Sequence, residues 1–268
     1  MRRPWCLIAA IAVSLLSLPP IDAGIAAGAR KAAKAKSRPS PPAPCEPRSF
    51  RIVLDVGHTS ESYGAMSARN DPEFGFNLRL AKLIGERLTS AGFAATRVLV
   101  TDGKARPSLF KRVATATAAH ADVLLSIHHD SVPDKLLEEW EFEGARSWFS
   151  DRFSGHSLFV SERNPKFGAS LVLARLLGKE LKSRGLQYAG QYSLPLMGRY
   201  RRQLLDKDVG VYRYDGLVVL SRATSVAALL EAGSIINRDE EMAMNSPARQ
   251  ELIADAVTAA MGEFCARR

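Results

Sequence analysis

The sequence predicts a single α/β domain over residues 50–268, a mostly parallel twisted sheet of about six strands with helices on both faces. Three observations predict it. Short apolar, β-branched runs alternate with longer segments of helical periodicity, the signature of strand–helix–strand units. The stretch is long enough to bury one sizeable core and carries no internal repeat. Polar residues suited to metal binding stand where several apolar runs end, and open parallel sheets collect ligands beyond the carboxyl ends of their strands.

Taken in order, FRIVLDV (50–56) reads as the first strand. A helix follows from Glu73, directly after Pro72, to Ala91, then a strand in AATRVLV (94–100) and a helix from Ser108 to Ala119. DVLLSIH (122–128) is the third strand, and Val132 to Gly155 is a long connection that could serve as a lid, with Glu138, Glu139 or Trp140 reaching the site, or equally be an ordinary surface excursion. SLFVS (157–161), a helix from Lys166 to Ser183, strands in LVVL (217–220) and VAALLE (226–231), and a helix from Ser246 to Cys265 complete the set.

The N-terminal residues set the expected compartment. Arg2 and Arg3 precede an apolar stretch from Leu7 to Leu18, then Pro19, Pro20 and the small-residue Ile-Asp-Ala, the layout of a secretory signal over residues 1–23. The apolar run is short for a membrane span, which needs about 20 residues, so a retained anchor is the weaker alternative. A periplasmic destination follows. Residues 24–49 are rich in Ala, Lys, Arg and Pro without hydrophobic periodicity and read as a basic linker. There Arg30, Lys31, Lys34, Lys36, Arg38 and Arg48 stand against Glu46 alone, a net +5 of the chain's +9. With +1 on the signal, only +3 remains for residues 50–268. This argues against nucleic acid as a partner of the folded domain and suits contact of the signal or linker with anionic membrane or envelope polymers.

After removal of the signal, Cys45 and Cys265 are the remaining thiols. In an oxidising compartment such a pair is expected to bridge and pin the chain ends, provided the two Cα atoms come close enough.

The chemistry concentrates in His58, Glu73, His128 and Glu231. Two imidazoles and one carboxylate can hold a zinc ion and leave its fourth position open, which separates a catalytic site from a closed structural one. A fourth acidic residue could move protons. His58 follows the first strand, His128 ends the third, Glu231 ends the last and Glu73 opens the first helix, so all four face one rim. A helix N-terminus also favours a carboxylate. By strand alternation His129 points away from His128 and either supports the ligands from behind or is structural, while Asp55 and Asp130 stand close enough to orient the ligands or could equally cap a turn. His120 and His156 have no such context.

The segments IVLDVGH, PEFGFNLRLAKLIGERLTSAGF, SLFKRVATATAAHADVLLSIHHDS, the small-residue helix beginning near Gly168, and VAALLEAGSIINRDEE together resemble the zinc-dependent N-acetylmuramoyl-L-alanine amidases, over nearly all of residues 51–264. The resemblance implies one zinc ion on His58, Glu73 and His128, a catalytic carboxylate at Glu231, and hydrolysis of the amide joining N-acetylmuramic acid to L-alanine in peptidoglycan. It also implies an envelope activator as a possible partner and a monomeric enzyme. The chain departs from the family pattern at Thr59 and Ser60, where members have a glycine pair and a looser loop is usual, and at Ser234, where an aromatic is usual. The inhibitory helical insert that some cell-division members carry after the fourth strand is not expected, because the next helix begins within a dozen residues of Val160.

Other readings are a zinc peptidase acting on ordinary peptides and a non-catalytic peptidoglycan-binding or regulatory envelope protein. Glu231 has no role in mere binding, which weighs against the second. A non-haem iron oxygenase also uses two His and one carboxylate, with different spacing. No Gly-x-Ser-x-Gly elbow and no phosphate loop occurs.

Overall fold

The computed structural model describes residues 45–268, so the expected signal and residues 24–44 of the linker lie outside the described residues. The strands are β1 (Ile52–Val56), β2 (Arg97–Leu99), β3 (Val123–Asp130), β4 (Glu138–Phe142), β5 (Ala145–Phe149), β6 (Ser157–Val160), β7 (Gln203–Asp206), β8 (Val211–Arg213) and β9 (Val226–Ser234). The α-helices are α1 (Glu73–Ser90), α2 (Ala105–Ala118), α3 (Phe167–Ser183), α4 (Val218–Ser221), α5 (Arg238–Asn245) and α6 (Pro247–Ala266).

Seven strands form the main sheet in the order β2-β1-β3-β9-β6-β8-β7, while β4 and β5 form a separate hairpin. β2, β1, β3 and β9 run parallel, β6 runs antiparallel to β9, β8 parallels β6, and β7 is antiparallel to β8. The α/β class and mostly parallel sheet are therefore as expected, with one strand more than the six foreseen.

Alternation along the strands builds a core on each face. Ile52, Leu54, Val56, Leu125 and Ile127 meet Phe76, Leu80 and Ile84 of α1, Leu173 and Leu177 of α3, and Ile253 and Val257 of α6. Val53, Leu124, Ala227 and Leu229 turn the other way, onto Ala116 and Val113 of α2 and Val219 and Leu220 of α4. These central strands are buried on both faces, which explains why they read as continuous apolar runs.

Several expectations are corrected. The LVVL run is not a strand: Val218–Ser221 is a single helical turn that buries Val219 and Leu220. Four apolar residues fit either period, so the pattern could not decide. The run 157–161 is a strand, but antiparallel to its neighbour β9. The Val132 to Gly155 connection contains β4 and β5, closed by Glu143 and Gly144, both at positive φ, as a two-residue hairpin turn requires. Its contacts brace the loop that precedes Glu73. Trp140 Nε1 and Ser147 Oγ both donate to the Ala68 carbonyl, at 2.9 and 2.7 Å, and Glu139 pairs with Arg146 at 3.0 Å. The hairpin thus holds the loop that leads into Glu73. α3 begins seven residues after Val160, which leaves no room for the inhibitory insert.

Cys45 and Cys265 are joined, with Cα atoms 5.3 Å apart, and the bridge fastens the start of the described chain to the end of α6. Residues 47–49, at the end of the expected linker, form a 3-10 turn beside it. Among the described residues no helix is long and apolar enough to cross a membrane.

Candidate metal centre

The four residues singled out from the sequence come together at the carboxyl rim of β1, β3 and β9. His58 stands two residues past β1, His128 lies two residues before the end of β3, Glu73 is the first residue of α1, and Glu231 lies in β9, three residues before its end. One donor atom each from His58, Glu73 and His128 fall within 4.8 Å of one another. Glu73 is the hub: Oε2 is 2.9 Å from His58 Nε2, and Oε1 is 3.0 Å from His128 Nδ1.

The backbone is shaped for this convergence. His58 sits at φ 66°, a left-handed conformation that a non-glycine residue adopts only when its surroundings impose it. The imposing group is Arg112 of α2, almost fully buried, whose guanidinium donates to the His58 carbonyl and lies 3.4 Å from Asp55 Oδ2. Ser126 Oγ donates 2.7 Å to the same Asp55 oxygen. Asp55 therefore acts on His58 through Arg112 and contacts neither ring. Its burial raises its pKa, and Arg112 opposes the rise.

Two glycines leave the room. A β-carbon on Gly57 would fall 2.6 Å from the His128 ring, and one on Gly64, at φ 84°, would fall 2.4 Å from Glu73 Oε2 and 2.5 Å from the His58 ring. The loop between them, which has Thr59 and Ser60 in place of a glycine pair, is tied down by Thr59. Thr59 is buried, donates 2.7 Å to the Gly103 carbonyl and accepts from the Glu61 and Ser62 amides at 3.2 and 2.9 Å.

Glu73 is further fixed by the Ala65 amide at 3.1 Å on Oε2 and by Asn77 Nδ2 at 3.0 Å on Oε1. Burial alone would raise its pKa, but the His128 and His58 hydrogen bonds prevail and hold it well below the ordinary carboxylate range. His129 points away from His128, as alternation requires, and its Nδ1 meets Asn77 Oδ1 at 2.8 Å. Buried there, its pKa falls to about 3, so it is neutral and steadies Asn77. His156, buried elsewhere, and the exposed His120 take no part.

Glu231 is the register partner of His128, and its Oε2 is buried with no hydrogen-bond partner among the described residues. Its pKa is raised well above the ordinary value by burial, then by the Asp130 and Glu73 carboxylates. Asp130, pushed up to about 7 by its own burial, accepts 2.5 Å from the Tyr192 hydroxyl. It therefore ties the 191–200 segment to β3 and does not bond a ligand ring.

The residues fit a metal ion. Two imidazoles and a carboxylate form the donor set of catalytic zinc sites, a β-carbon at Gly57 or Gly64 would intrude on the donor groups, and an unpaired buried carboxylate oxygen waits beside them. Sequence reasoning missed Asn77, Arg112 and Tyr192. Asn77 could have been found, because it stands four residues after Glu73 on the same helical face. Arg112 and Tyr192 carry no local signal, since only the folded chain brings them to Asp55 and Asp130.

Comparison with known proteins agrees with this architecture. Residues 52–263 match the family described as N-acetylmuramoyl-L-alanine amidase. A protein of Buchnera aphidicola described as a candidate N-acetylmuramoyl-L-alanine amidase is 24% identical over 220 residues, covering 81% of this chain and 97% of its own. Among solved structures, the N-acetylmuramyl-L-alanine amidase Ami1 from Mycobacterium smegmatis is similar with a TM-score of 0.62 and 19% identity, over 82% of this chain and 98% of that one. The catalytic domain of CwlV, an N-acetylmuramoyl-L-alanine amidase from Bacillus (Paenibacillus) polymyxa var. colistinus, gives 0.57 and 23%, over 80% and 96%. At these identities the structural likeness speaks to the fold.

Proposed function

The chain belongs to the N-acetylmuramoyl-L-alanine amidase family, and from that membership we propose a zinc-dependent hydrolase of the amide between N-acetylmuramic acid and L-alanine in peptidoglycan, releasing stem peptides. The observation that supports it most is the His58, Glu73 and His128 group with Glu231 in register beside it. These three residues would hold one ion. When bound, zinc supplies a Lewis acid for the amide carbonyl and lowers the pKa of its water from 15.7 to about 7.

The chain's own residues do the rest. Glu231 takes the proton of the attacking water at its unpaired Oε2 and delivers it to the departing nitrogen, because an amine leaves poorly unless protonated. Its pKa, raised by burial and by the Asp130 and Glu73 carboxylates, favours holding the proton it has accepted until the nitrogen departs. Glu73 keeps both imidazoles converged, held in turn by Asn77 and the Ala65 amide. Arg112 holds the His58 backbone in its left-handed turn. The bond to nitrogen breaks, the acyl carbon keeps the water oxygen as a carboxylate, and the peptide leaves with a free N-terminal alanine.

A periplasmic setting belongs to the same proposal. The Arg2-Arg3 start, the apolar Leu7 to Leu18 stretch and the Cys45–Cys265 bridge all suit an exported protein. Chelation should abolish amide hydrolysis and zinc should restore it; hydrolysis that survives a metal-free preparation would contradict the reading.

A further inference from the structure

Beyond the metal centre, the rim carries a polar hollow of about 320 Å³ whose two walls both start from Asp130. β3 ends at that residue, and the chain beyond it forms one wall with Asp134 and Lys135 on a 3-10 turn. The other wall is the turn Pro195–Tyr200, which follows Tyr192, the residue whose hydroxyl bonds Asp130 at 2.5 Å. Gly198 lies at φ 55° and ψ −123°, a conformation open to glycine, and brings this wall to within 3.9 Å of Lys135 Nζ, measured from where a β-carbon would stand.

The hollow is cationic. Arg199 lies 4.9 Å over the Tyr200 ring and donates 2.8 Å to its hydroxyl, which fixes the guanidinium without spending its charge. Several surface arginines are matched with acids, among them Arg213 with Asp215 and Glu162, Arg175 with Asp206, and Arg238 with Asp151. Among the described residues neither Lys135 nor Arg199 enters an ion pair, and Asp134 is the single acid lining the hollow. Two unspent cations beside a phenol, one of them a planar fork, suit a carboxylate.

We infer that this hollow is a subsite for a free carboxylate on the peptide side of the substrate, an inference that rests on the amidase reading. The five residues from Asp130 to Lys135 span at most about 18 Å, so a short extended peptide leaving the metal centre can reach it. Occupation would hold the stem peptide along the rim, lowering KM for acidic stems without touching the reacting atoms.

The test is steady-state kinetics with the zinc-loaded full chain on a soluble muramoyl peptide bearing free carboxylates and on its counterpart with those carboxylates amidated. Wild type should favour the free form by about three- to tenfold in kcat/KM, through KM, and salt at about 0.5 M should erase the preference. A Lys135→Met/Arg199→Met variant should lose the preference yet match wild type on the amidated form; both side chains are exposed, and an unchanged melting curve confirms folding. Equal treatment of the two substrates by wild type overturns the subsite, as does a preference that persists in the double variant. Failure of wild type to cut either substrate overturns the amidase reading and the subsite with it, and is told apart by the loss of turnover itself.

Discussion

His128 and Glu231 are partners in register on the adjacent parallel strands β3 and β9, one step before β9 gains an extra residue and the pairing resumes at Asp130 and Ser234. Partners on parallel strands share a face, so the proposed ligand and the proposed proton carrier are set side by side by backbone hydrogen bonds alone. The bulge lies just beyond them, where such irregularities re-aim side chains. From this arrangement, different substitutions should fail in different ways.

Glu231→Gln keeps the shape and removes the base. Turnover should fall about 10²- to 10⁴-fold, the usual worth of general acid–base catalysis, while the zinc content measured by elemental analysis stays at that of wild type. Loss of metal together with activity would place Glu231 among the ligands instead.

Gly64→Ala tests the cradle. The added methyl would meet Glu73 and His58 and would also need a positive φ. Metal affinity, followed by competition with a chromophoric chelator, should weaken about 10- to 100-fold, as when groups that orient ligands are disturbed. Gly92→Ala serves as the control, since its φ is also positive but a β-carbon there meets nothing within 4 Å.

Arg112→Met leaves Asp55 buried without its cation and frees the His58 carbonyl. Removing one partner of a buried pair costs about 3–5 kcal/mol, so the urea midpoint should drop by a corresponding amount. Asp55→Asn in the Arg112→Met background should recover part of it, because the unpaired charge is then gone.

Reduction of the Cys45–Cys265 bridge, which closes a sequence separation of 220 residues, should cost about 2–5 kcal/mol of stability and leave the metal centre intact. Cys45→Ser should reproduce the loss under oxidising conditions.

Acid should weaken the fold through His156. Burial lowers its pKa from 6.5 to about 4, and the weak backbone contacts from Val209 and Gln187 oppose this only in part. Below pH 6.5 the unfolded chain takes up a proton that the folded chain refuses until about pH 4, so stability falls with falling pH across that window. The slope is about 1.4 kcal/mol per pH unit and the total about 3 kcal/mol. Denaturant melts at pH 7 and pH 5 should show the loss in wild type and a smaller one in His156→Phe.

Much of this was legible in the residues. His58, Glu73, His128 and Glu231 announced themselves because each sits at a strand or helix end marked by apolar runs or by Pro72, and local periodicity reports such ends well. β7 and β8 are not legible because three or four residues of mixed polarity have no period to read, nor is the antiparallel direction of β6, which depends on pairing partners. The 132–155 connection reads equally as a lid or a surface excursion, because length alone does not say what a loop packs against; in the fold Trp140 and Ser147 bond Ala68. Arg112 and Tyr192 were silent for a different reason: a buried arginine in a helix and a tyrosine in a turn acquire meaning only when distant carboxylates arrive beside them.

His58, Glu73, His128 and Glu231 are proposed to hydrolyse one named amide with the help of a metal ion. Mass spectrometry of fragments released from purified sacculi by residues 24–268, with zinc and after chelation, tests this most directly. Free stem peptides with N-terminal alanine should appear in the zinc-loaded digest, be absent after chelation, and fall about 10²- to 10⁴-fold in rate with Glu231→Gln. Cleavage within the peptides or the glycan, or stem-peptide release that persists without metal, would contradict it.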